Sequence, residues 1–230
     1  MKAMILAAGL GSRMRPLTDH LPKPLLCVGG KPLIVWHLER LKRNGFSEII
    51  INIAWRGNKI PEMLGSGEQF GVSIQYSDEQ DEGLLETGGG IIKALPLLGP
   101  EPFLALNGDI WCDYEFTTRS PLSGGDLGHL LLVDNPQHNV TGDFLLDAGR
   151  VVDCKVSQEK LTYSGIAYFH PDLFKHCIYG KQSLVPILRG AMGDGLISGE
   201  HHCGVWQDIG TPERLSELDA ALKNHPNGFK

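Results

Sequence analysis

Small and basic residues follow the first apolar run of this chain, and their chemistry suits a ligand that carries phosphate groups. They are Ala7, Ala8, Gly9, Gly11, Ser12, Arg13, Arg15 and Lys23. Glycine lets the backbone approach a ligand closely and turn several N–H groups toward one anion, while arginine offers forked donors to phosphate oxygens. Lys23 lies between two prolines, which stiffen the backbone beneath its mobile charge. Together these residues predict a triphosphate-binding loop.

The sequence excludes two commoner kinds of phosphate-binding loop. A dinucleotide-binding turn needs G-x-G-x-x-G, but Met14 stands at the third glycine position. A P-loop needs G-x-x-x-x-G-K-[ST], and no such string occurs, since Gly30 and Lys31 are followed by Pro32. The remaining alternative is a flexible loop with scattered basic residues. The position of the cluster, directly after a buried strand, disfavours that interpretation.

Two aspartates, Asp109 and Asp208, are candidate ligands for Mg2+ beside such a loop. Asp109 closely follows the largely apolar residues 103–107, and Asp208 lies within the largely apolar residues 205–209. Mg2+ at phosphate sites binds one or two carboxylates together with phosphate oxygens and water. Each acid alone is also compatible with an ordinary turn, which is the less favoured interpretation. The pair predicts an Mg2+ site only if the fold brings together two segments that are far apart in sequence.

Strands alternate with helices in the first half of the chain, which must position the loop and Asp109. Apolar runs predict strands over residues 3–7, 48–53, 74–77 and 103–107. Helical spacing of apolar residues, with proline or glycine at the ends, predicts helices over residues 32–44, 59–64 and 90–95. The alternation predicts an α/β fold with a mostly parallel sheet covered on both faces, and ligands bind at the carboxyl ends of such strands.

Strands dominate after residue 110. They are predicted over residues 127–133, 144–146, 150–155, 162–170, 197–202 and 205–207. The last two are expected to form a hairpin. One helix is predicted over residues 184–192, and a second is capped by Thr211, has Pro212 at its first position and ends near residue 223. We expect this half to extend the sheet rather than to form an independent domain.

Composition and charge narrow the functional classes. The 230 residues carry a net charge of −6, which argues against a nucleic-acid-binding surface. The first apolar run is too short, and too soon followed by Gly9, for a signal peptide or a membrane span. The five cysteines are widely spaced without a C-x-x-C pair, so reduced thiols are expected. We expect a cytoplasmic protein with no nucleic-acid or membrane partner, and these features leave its oligomeric state open.

Adjacent histidines at His201 and His202, followed by Cys203, raise the alternative of a transition-metal site. Neighbouring residues on a strand point to opposite faces, so the two imidazoles are not expected to hold one ion together. An ordinary hairpin is therefore the preferred interpretation of this segment.

The segment from Leu6 to Pro24 resembles the signature of the sugar-1-phosphate nucleotidyltransferase family, L-A-A-G-x-G-x-R-[ML]-x-P-L-T followed by P-K-P. Family-like stretches also occur at residues 86–90, 107–109 and 206–211, so the resemblance covers nearly the whole chain. Within the family the chain is most similar to the N-acetylmuramate-1-phosphate uridylyltransferases of cell-wall recycling. The resemblance implies a single-domain, Rossmann-like three-layer sandwich with a mixed, mostly parallel central sheet.

The resemblance also implies roles for the candidate residues. Nucleotide contacts are expected from the loop and from a base-reading segment, at Ala7, Ala8, Gly9, Gly11, Ser12, Arg13, Lys23, Glu82 and Gly88. Catalysis is expected to depend on Arg13, Lys23 and Asp109, with Mg2+ held by Asp109 and Asp208. Candidates for a sugar pocket are Asn107, Gly142, Asp143, Ser164 and Gly165. One domain over residues 1–230 would then have a nucleotide-binding half, 1–110, and a sugar-binding half, 111–230.

The implied reaction is a single in-line displacement, in which a sugar-1-phosphate oxygen attacks the α-phosphorus of a nucleoside triphosphate and pyrophosphate leaves. UTP is the favoured nucleotide, and N-acetylmuramate-1-phosphate is the favoured acceptor. Alternatives are GTP with mannose-1-phosphate, dTTP or UTP with glucose-1-phosphate, and a non-catalytic module that binds nucleotide sugars. Many larger relatives carry a Glu-Lys-Pro unit that this chain lacks, so Lys155 and Lys160 are expected to face solvent.

Overall fold

Alternating apolar residues along the first strands divide the core into two layers, one on each face of a central sheet. In the computed structural model, which describes residues 1–154 and 159–224, Ala3 and Ile5 pack in one layer and Met4 packs in the other. The isoleucines of the neighbouring strand alternate in the same way. Because both faces are buried, these strands appear in the sequence as continuous apolar runs.

Thirteen strands are present among the described residues. In chain order they are β1 (Ala3–Leu6), β2 (Cys27–Val28), β3 (Lys31–Pro32), β4 (Glu48–Ile53), β5 (Ser73–Asp78), β6 (Phe103–Asn107), β7 (Ile110–Cys112), β8 (Gly128–Val133), β9 (Leu145–Asp147), β10 (Arg150–Val152), β11 (Thr162–Phe169), β12 (Ile197–His202) and β13 (Trp206–Asp208). Nine of them form the central sheet, in the order β5-β4-β1-β6-β11-β8-β12-β10-β9. Within it, β10 and β11 run against the direction of the other strands. The sheet is therefore mixed and mostly parallel, as predicted.

The described residues contain five α-helices, and they cover both faces of the sheet. They are α1 (Leu33–Arg43), α2 (Lys59–Leu64), α3 (Glu86–Leu98), α4 (Leu184–Gly193) and α5 (Pro212–Asn224). Helices α1 and α2 pack in the layer that contains Ile5, whereas α3 and α4 pack on the opposite face. Helix α5 packs against a third cluster, which includes Trp36 and Trp111. No helix in the described part of the chain is long and apolar enough to cross a membrane.

Helix α3 is longer than the helix predicted over residues 90–95. It begins at Glu86 and continues to Leu98, with Pro96 in its last turn. Three successive glycines, Gly88 to Gly90, lie near its start, and glycine disfavours a helix by propensity. Close packing explains them, because a Cβ atom at Gly89 would lie 2.3 Å from the carbonyl oxygen of Gly180. Tertiary packing therefore outweighs local propensity at this helix start.

The predicted hairpin between residues 197–202 and 205–207 is wrong. Strand β12 pairs in parallel with β8 in the central sheet, whereas β13 pairs antiparallel with β7 in a separate two-stranded sheet. Burial explains the difference, because Ile197 packs in the main core and Ile209, just after β13, packs in the cluster under α5. A turn near Gly204 permits either pairing, so the turn alone does not select the partner strands.

The topology places the carboxyl ends of three parallel strands side by side. Leu6 at the end of β1 pairs with Asn52 on β4 and with Asn107 on β6. The loop that follows β1 therefore emerges at the edge of the sheet where ligands bind in folds of this kind.

Candidate active site

A cavity of about 430 Å³ opens at this edge of the sheet. Its lining includes seven of the residues predicted to contact a nucleotide: Ala7, Ala8, Gly9, Gly11, Ser12, Arg13 and Lys23. Asn107 and Asp109 also line it. The volume is typical of small-molecule sites. The fold thus brings the glycine-rich loop, the lysine and one of the two candidate metal ligands to a single cavity.

Gly11 shapes the loop, because its backbone has a φ of +61°, which other residues rarely adopt. A Cβ atom at this position would also lie 2.8 Å from Cγ2 of Thr18. The Thr18 hydroxyl donates to the Gly11 carbonyl at 2.8 Å, and Thr18 itself is buried. The loop is therefore held in shape by contacts among its own residues.

Lys23 supplies a buried positive charge to the cavity. It begins a 3-10 turn, Lys23–Leu25, directly after Pro22, and its side chain is only 9% exposed. Its Nζ donates to Oδ2 of Asp109 at 2.6 Å. The Asp109 side chain is 40% exposed, so the carboxylate is the more accessible member of the pair. An ammonium group on so stiff a backbone can be presented to a phosphate with little reorganisation.

Strand pairing joins the segments that carry the two candidate metal ligands. Strands β7 and β13 pair with Ile110 opposite Asp208. The N–H of Ile209 donates to the carbonyl of Asp109 at 2.7 Å. The fold therefore brings the two segments together, and an Mg2+ site at the two acids stays a prediction. Carboxylate oxygens are the ligands that hard divalent cations prefer, so this pair of acids fits such an ion.

Two basic side chains that the sequence analysis did not single out contact Asp208. Nη1 of Arg214, in the first turn of α5, donates to Oδ1 of Asp208 and, at 3.2 Å, to its backbone carbonyl. Nε2 of His138 lies 3.0 Å from the same carboxylate oxygen. The geometry depends on how α5 begins after Thr211, whose hydroxyl accepts the N–H of Arg214 at 3.4 Å, as expected of the predicted cap. No local sequence pattern signals this cluster.

Asn52 and Glu79 form a buried pair in the wall of the cavity. Oδ1 of Asn52 accepts the N–H of Ala7 at 2.7 Å, and its Nδ2 donates to Oε1 of Glu79, also at 2.7 Å. Burial raises the pKa of Glu79. Neither residue was predicted from the sequence. A signal was available, because each lies at or just after the carboxyl end of a predicted parallel strand.

A buried histidine lies beneath the segment that carries Asp109. His37 on α1 is 2% exposed, and burial, with a smaller contribution from Arg40, lowers its pKa to about 3. Asp109 and the backbone of Gly108 and Ile110 act in the opposite direction, since they favour the protonated ring. The imidazole is therefore neutral near pH 7 and fills this space without adding a charge.

Comparison with known proteins assigns the family. A model of the nucleotidyl transferase family matches residues 2–120. An N-acetylmuramate alpha-1-phosphate uridylyltransferase from Neisseria meningitidis serogroup B is 52% identical over 226 residues, which cover 96% of this chain and 97% of the relative. The chain belongs to the sugar-1-phosphate nucleotidyltransferase family.

Other comparisons agree with this nucleotidyltransferase assignment. An N-acetylmuramate alpha-1-phosphate uridylyltransferase from Caulobacter vibrioides is 33% identical, and the match covers 96% of each chain. A solved structure from Bacillus anthracis, provisionally named a glucose-1-phosphate thymidylyltransferase, superposes with a TM-score of 0.84 at 22% identity. It covers 97% of this chain and 96% of its own, so it shares the fold. The predicted Rossmann-like three-layer sandwich is thereby confirmed.

The two residues expected to read the base lie outside the cavity lining of the nucleotidyltransferase. Gly88 is buried within α3, where a Cβ atom would lie 2.9 Å from the carbonyl oxygen of Gln182. The carboxylate of Glu82 contacts Nζ of Lys93 and the hydroxyl of Tyr179. The adjacent part of the described lining is formed by Leu84, Glu86 and Thr87. Base reading by Gly88 or Glu82 stays a prediction.

Three of the residues expected to line a sugar pocket lie where β6 meets β11. Asn107 is part of the cavity wall, and Gly165, with a φ of +79°, packs against it. A Cβ atom at Gly165 would lie 2.4 Å from Nδ2 of Asn107. Ser164 is buried, and its hydroxyl donates to the carbonyl of Leu131 at 2.7 Å. Of the three, Asn107 is the residue that faces the cavity.

The other two candidates for the sugar pocket hold the start of β11. Oδ2 of Asp143 accepts the N–H of Tyr163 at 2.9 Å, and a Cβ atom at Gly142 would lie 2.7 Å from the carbonyl oxygen of Lys160. Contacts of these residues with a sugar stay predictions. The side chain of Lys160 is partly exposed, whereas Lys155 lies outside the described residues.

The adjacent histidines contact different acids, as expected for neighbours on a strand. Nε2 of His201 lies 2.9 Å from Asp134, and Nε2 of His202 lies 2.7 Å from Asp113. The Cys112 thiol lies beside the second pair. Burial raises the pKa of this thiol to about 11, so it stays protonated at neutral pH and is a weak metal ligand there.

Proposed function

We propose that this chain transfers a uridylyl group from UTP to N-acetylmuramate-1-phosphate, with release of pyrophosphate. The observation that carries the proposal is the 52% identity with the Neisseria meningitidis N-acetylmuramate alpha-1-phosphate uridylyltransferase over 97% of that relative. The Caulobacter vibrioides enzyme of the same name supports it. The cavity is chemically suited to the reaction, because it combines a phosphate-binding loop, a buried ammonium group and a carboxylate.

A single in-line displacement accounts for the reaction. An oxygen of the sugar-1-phosphate attacks the α-phosphorus of UTP and forms a new P–O bond. The bond from that phosphorus to the oxygen bridging the β-phosphate breaks, and pyrophosphate leaves with the electron pair. The attacking phosphate is already anionic, so neither a protein nucleophile nor a general base is needed. Catalysis then depends on alignment and on neutralisation of charge.

Arg13 and Lys23 are proposed to supply that neutralisation. Arg13 lines the cavity beside the glycines and would bind the β- and γ-phosphates through its forked donors. Lys23 would bind the α-phosphate, where charge changes during the displacement. Its burial strengthens this interaction, because electrostatic attraction is weaker in water than in a protein interior.

Asp109 and Asp208 are proposed to hold Mg2+. Nucleotidyltransferases of this family are generally metal-dependent. The pairing of β7 with β13 supports the assignment, since it brings Asp208 opposite Ile110, the residue that follows Asp109. When bound, Mg2+ would neutralise charge on phosphate oxygens. Arg214 would orient the carboxylate of Asp208, which it contacts from α5.

Pyrophosphate release across a matrix of substrates tests the proposal. The purified chain is mixed with Mg2+, with UTP, CTP, GTP, ATP or dTTP, and with the 1-phosphates of N-acetylmuramate, glucose or mannose. The fastest release is expected for UTP with N-acetylmuramate-1-phosphate. Faster release with another pair would reassign the substrates within the family. Release with no pair, combined with binding of a nucleotide sugar by calorimetry, would favour a non-catalytic module.

We also propose that the enzyme works in the cytoplasm, where nucleoside triphosphates are available. All five cysteines are free thiols, which supports a reducing compartment. Fractionation of cells that express the chain would test this, and recovery with an extracytoplasmic fraction would contradict it.

A further inference from the structure

One wall of the cavity is built on a buried polar pair that the proposed mechanism does not use. Glu79, directly after β5, is 1% exposed, and Asn52, near the end of β4, is 3% exposed. These strands are parallel neighbours, so their carboxyl ends lie side by side. Burying a carboxylate is costly unless it is well hydrogen-bonded. The contacts of the pair must therefore compensate a substantial desolvation cost.

The pair connects two parts of the site that are far apart along the chain. On one side, Oδ1 of Asn52 accepts the N–H of Ala7, at the start of the triphosphate loop, at 2.7 Å. On the other side, the Glu79 carboxylate accepts from Nδ2 of Asn52 at 2.7 Å and from the N–H of Leu85, which directly precedes α3. Helix α3 also packs on the pair. A Cβ atom at Gly90 would lie 2.7 Å from Oε1 of Glu79.

We infer that Asn52 and Glu79 are positioning residues that set the affinity of the cavity for the nucleoside triphosphate. They do so because they hold the glycine-rich loop, which begins at Ala7, at a fixed place relative to the start of α3. The inference rests on the proposed function only in taking the loop and the lining residues Leu84, Glu86 and Thr87 as walls of the nucleoside site. Neither side chain has to touch the nucleotide. Their effect should therefore be on binding of the nucleotide rather than on the chemical step.

Donors and acceptors in the pair are matched, and this provides a test. Asn52 uses its oxygen for Ala7 and its amide N–H for Glu79, while the carboxylate accepts from both Asn52 and Leu85. In Glu79→Gln, one acceptor oxygen faces two donors, so one N–H is opposed by another N–H. In the double variant Asn52→Asp/Glu79→Gln, the new carboxylate accepts from Ala7 and from the new amide, whose oxygen accepts from Leu85. Every donor again has an acceptor.

We expect Glu79→Gln to raise the Kd and the KM for UTP by about tenfold to a hundredfold, with kcat and the KM for the sugar-1-phosphate within about twofold. The double variant should recover most of this loss. Gly90→Ala should have the same selective effect, because its methyl group would press on the pair from α3. It also serves as an independent test should Glu79→Gln fold poorly.

Asp126→Asn is the matched control. The Asp126 side chain is 4% exposed, and it pairs with Nη1 of Arg150 at 2.6 Å, outside the cavity lining. This variant also neutralises a buried carboxylate, so it should lower the thermal midpoint. It should leave the affinity for UTP unchanged, because it does not touch the loop or α3.

Calorimetric titration with UTP and Mg2+ separates this inference from the proposed reaction. Wild-type protein that binds UTP but releases no pyrophosphate would contradict the reaction, while the Kd values would still test the pair. The inference is overturned if Glu79→Gln has the Kd for UTP of the wild type, or if Asp126→Asn raises this Kd as much as Glu79→Gln does. It is also overturned if the double variant binds UTP no more tightly than Glu79→Gln. A wild-type chain that binds no nucleoside triphosphate would overturn it as well.

Discussion

The two halves of the sheet use their candidate residues in different ways. In residues 1–110, seven of the residues predicted to bind nucleotide line one cavity, and they follow a single strand. In the second half, Ser164 and Asp143, predicted to bind sugar, form hydrogen bonds to the protein backbone. The glycine-rich loop is therefore largely a local structure, since its residues follow one another along the chain. The predicted sugar pocket, in contrast, would have to be assembled from strands that pair across the chain.

The largest effect is expected at the buried cation of the first half. Lys23→Ala should lower kcat by at least about a hundredfold, because it removes positive charge preorganised at the phosphates. The fold should survive, since Asp109 is 40% exposed and can be solvated by water. Lys160→Ala, on the partly exposed lysine of the second half, is the matched control and should turn over like the wild type. Steady-state kinetics and circular dichroism check both. Near-normal turnover of Lys23→Ala would contradict its catalytic role.

The next largest effect is expected at the two candidate metal ligands, Asp109 from the first half and Asp208 from the second. Chelation of divalent metal should abolish turnover, and added Mg2+ should restore it. Asp208→Asn should raise the Mg2+ concentration for half-maximal rate by about tenfold or more, because a neutral amide oxygen is a weaker ligand. Initial rates and Mn2+ binding across a metal titration measure this. Glu213→Gln, an exposed acid of α5, is the control and should change neither. Equal metal affinity in Asp208→Asn and wild type would remove Asp208 from the site.

Substitution of one glycine with positive φ in each half tests whether the two halves bind different substrates. Gly11→Ala and Gly165→Ala should each destabilise the fold by about 1–2 kcal/mol. Gly11→Ala should raise the KM for the nucleotide, because its Cβ would press on Thr18, and Gly165→Ala should raise the KM for the sugar-1-phosphate, because its Cβ would press on Asn107. Gly149→Ala, at φ +80° in open space, should lower stability alone. If either test variant changed the KM for the nucleotide and the KM for the sugar-1-phosphate equally, the assignment of one substrate to each half would be wrong.

The smallest effect on activity is expected at His37, whose burial changes stability as a function of pH. The pKa of His37 is about 3 in the folded chain, below its ordinary value of 6.5. Between these values the unfolded chain binds a proton that the folded chain does not, so stability contributed at neutral pH is lost as the pH falls toward about 3. His37→Gln should reduce the pH slope of the unfolding free energy by about 1.4 kcal/mol per pH unit between about pH 6 and about pH 4.

Denaturant unfolding at several pH values measures this slope. His176→Gln, at an exposed histidine, is the control, and its unfolding free energy should have the same pH slope as that of the wild type. If His37→Gln and the wild type have the same slope, the folded chain protonates His37 as readily as the unfolded chain does, and the assignment of a neutral buried ring is wrong.

Predictability differed between elements for physical reasons. The strands β1, β4 and β6 were predictable because burial on both faces leaves a continuous apolar run in the sequence. The start of α3 was not, since three glycines lower helix propensity there, while close packing requires them. Gly88 and Gly89 pack against residues 180–183, and Gly90 packs against Glu79 and Asn52. Asn52 and Glu79 were not predicted because their contact is tertiary. Their side chains meet where two neighbouring parallel strands end.

The glycine-rich loop after β1 and the layered α/β fold follow from the sequence alone, because backbone freedom at glycine, stiffness at proline and apolar periodicity are local properties of the chain. Only the tertiary structure decided that Asp208 lies opposite Ile110, that β12 pairs with β8, and that Glu79 faces Asn52. These contacts join segments that are far apart along the chain. They are selected by burial and strand pairing across the whole sheet, which no local pattern encodes.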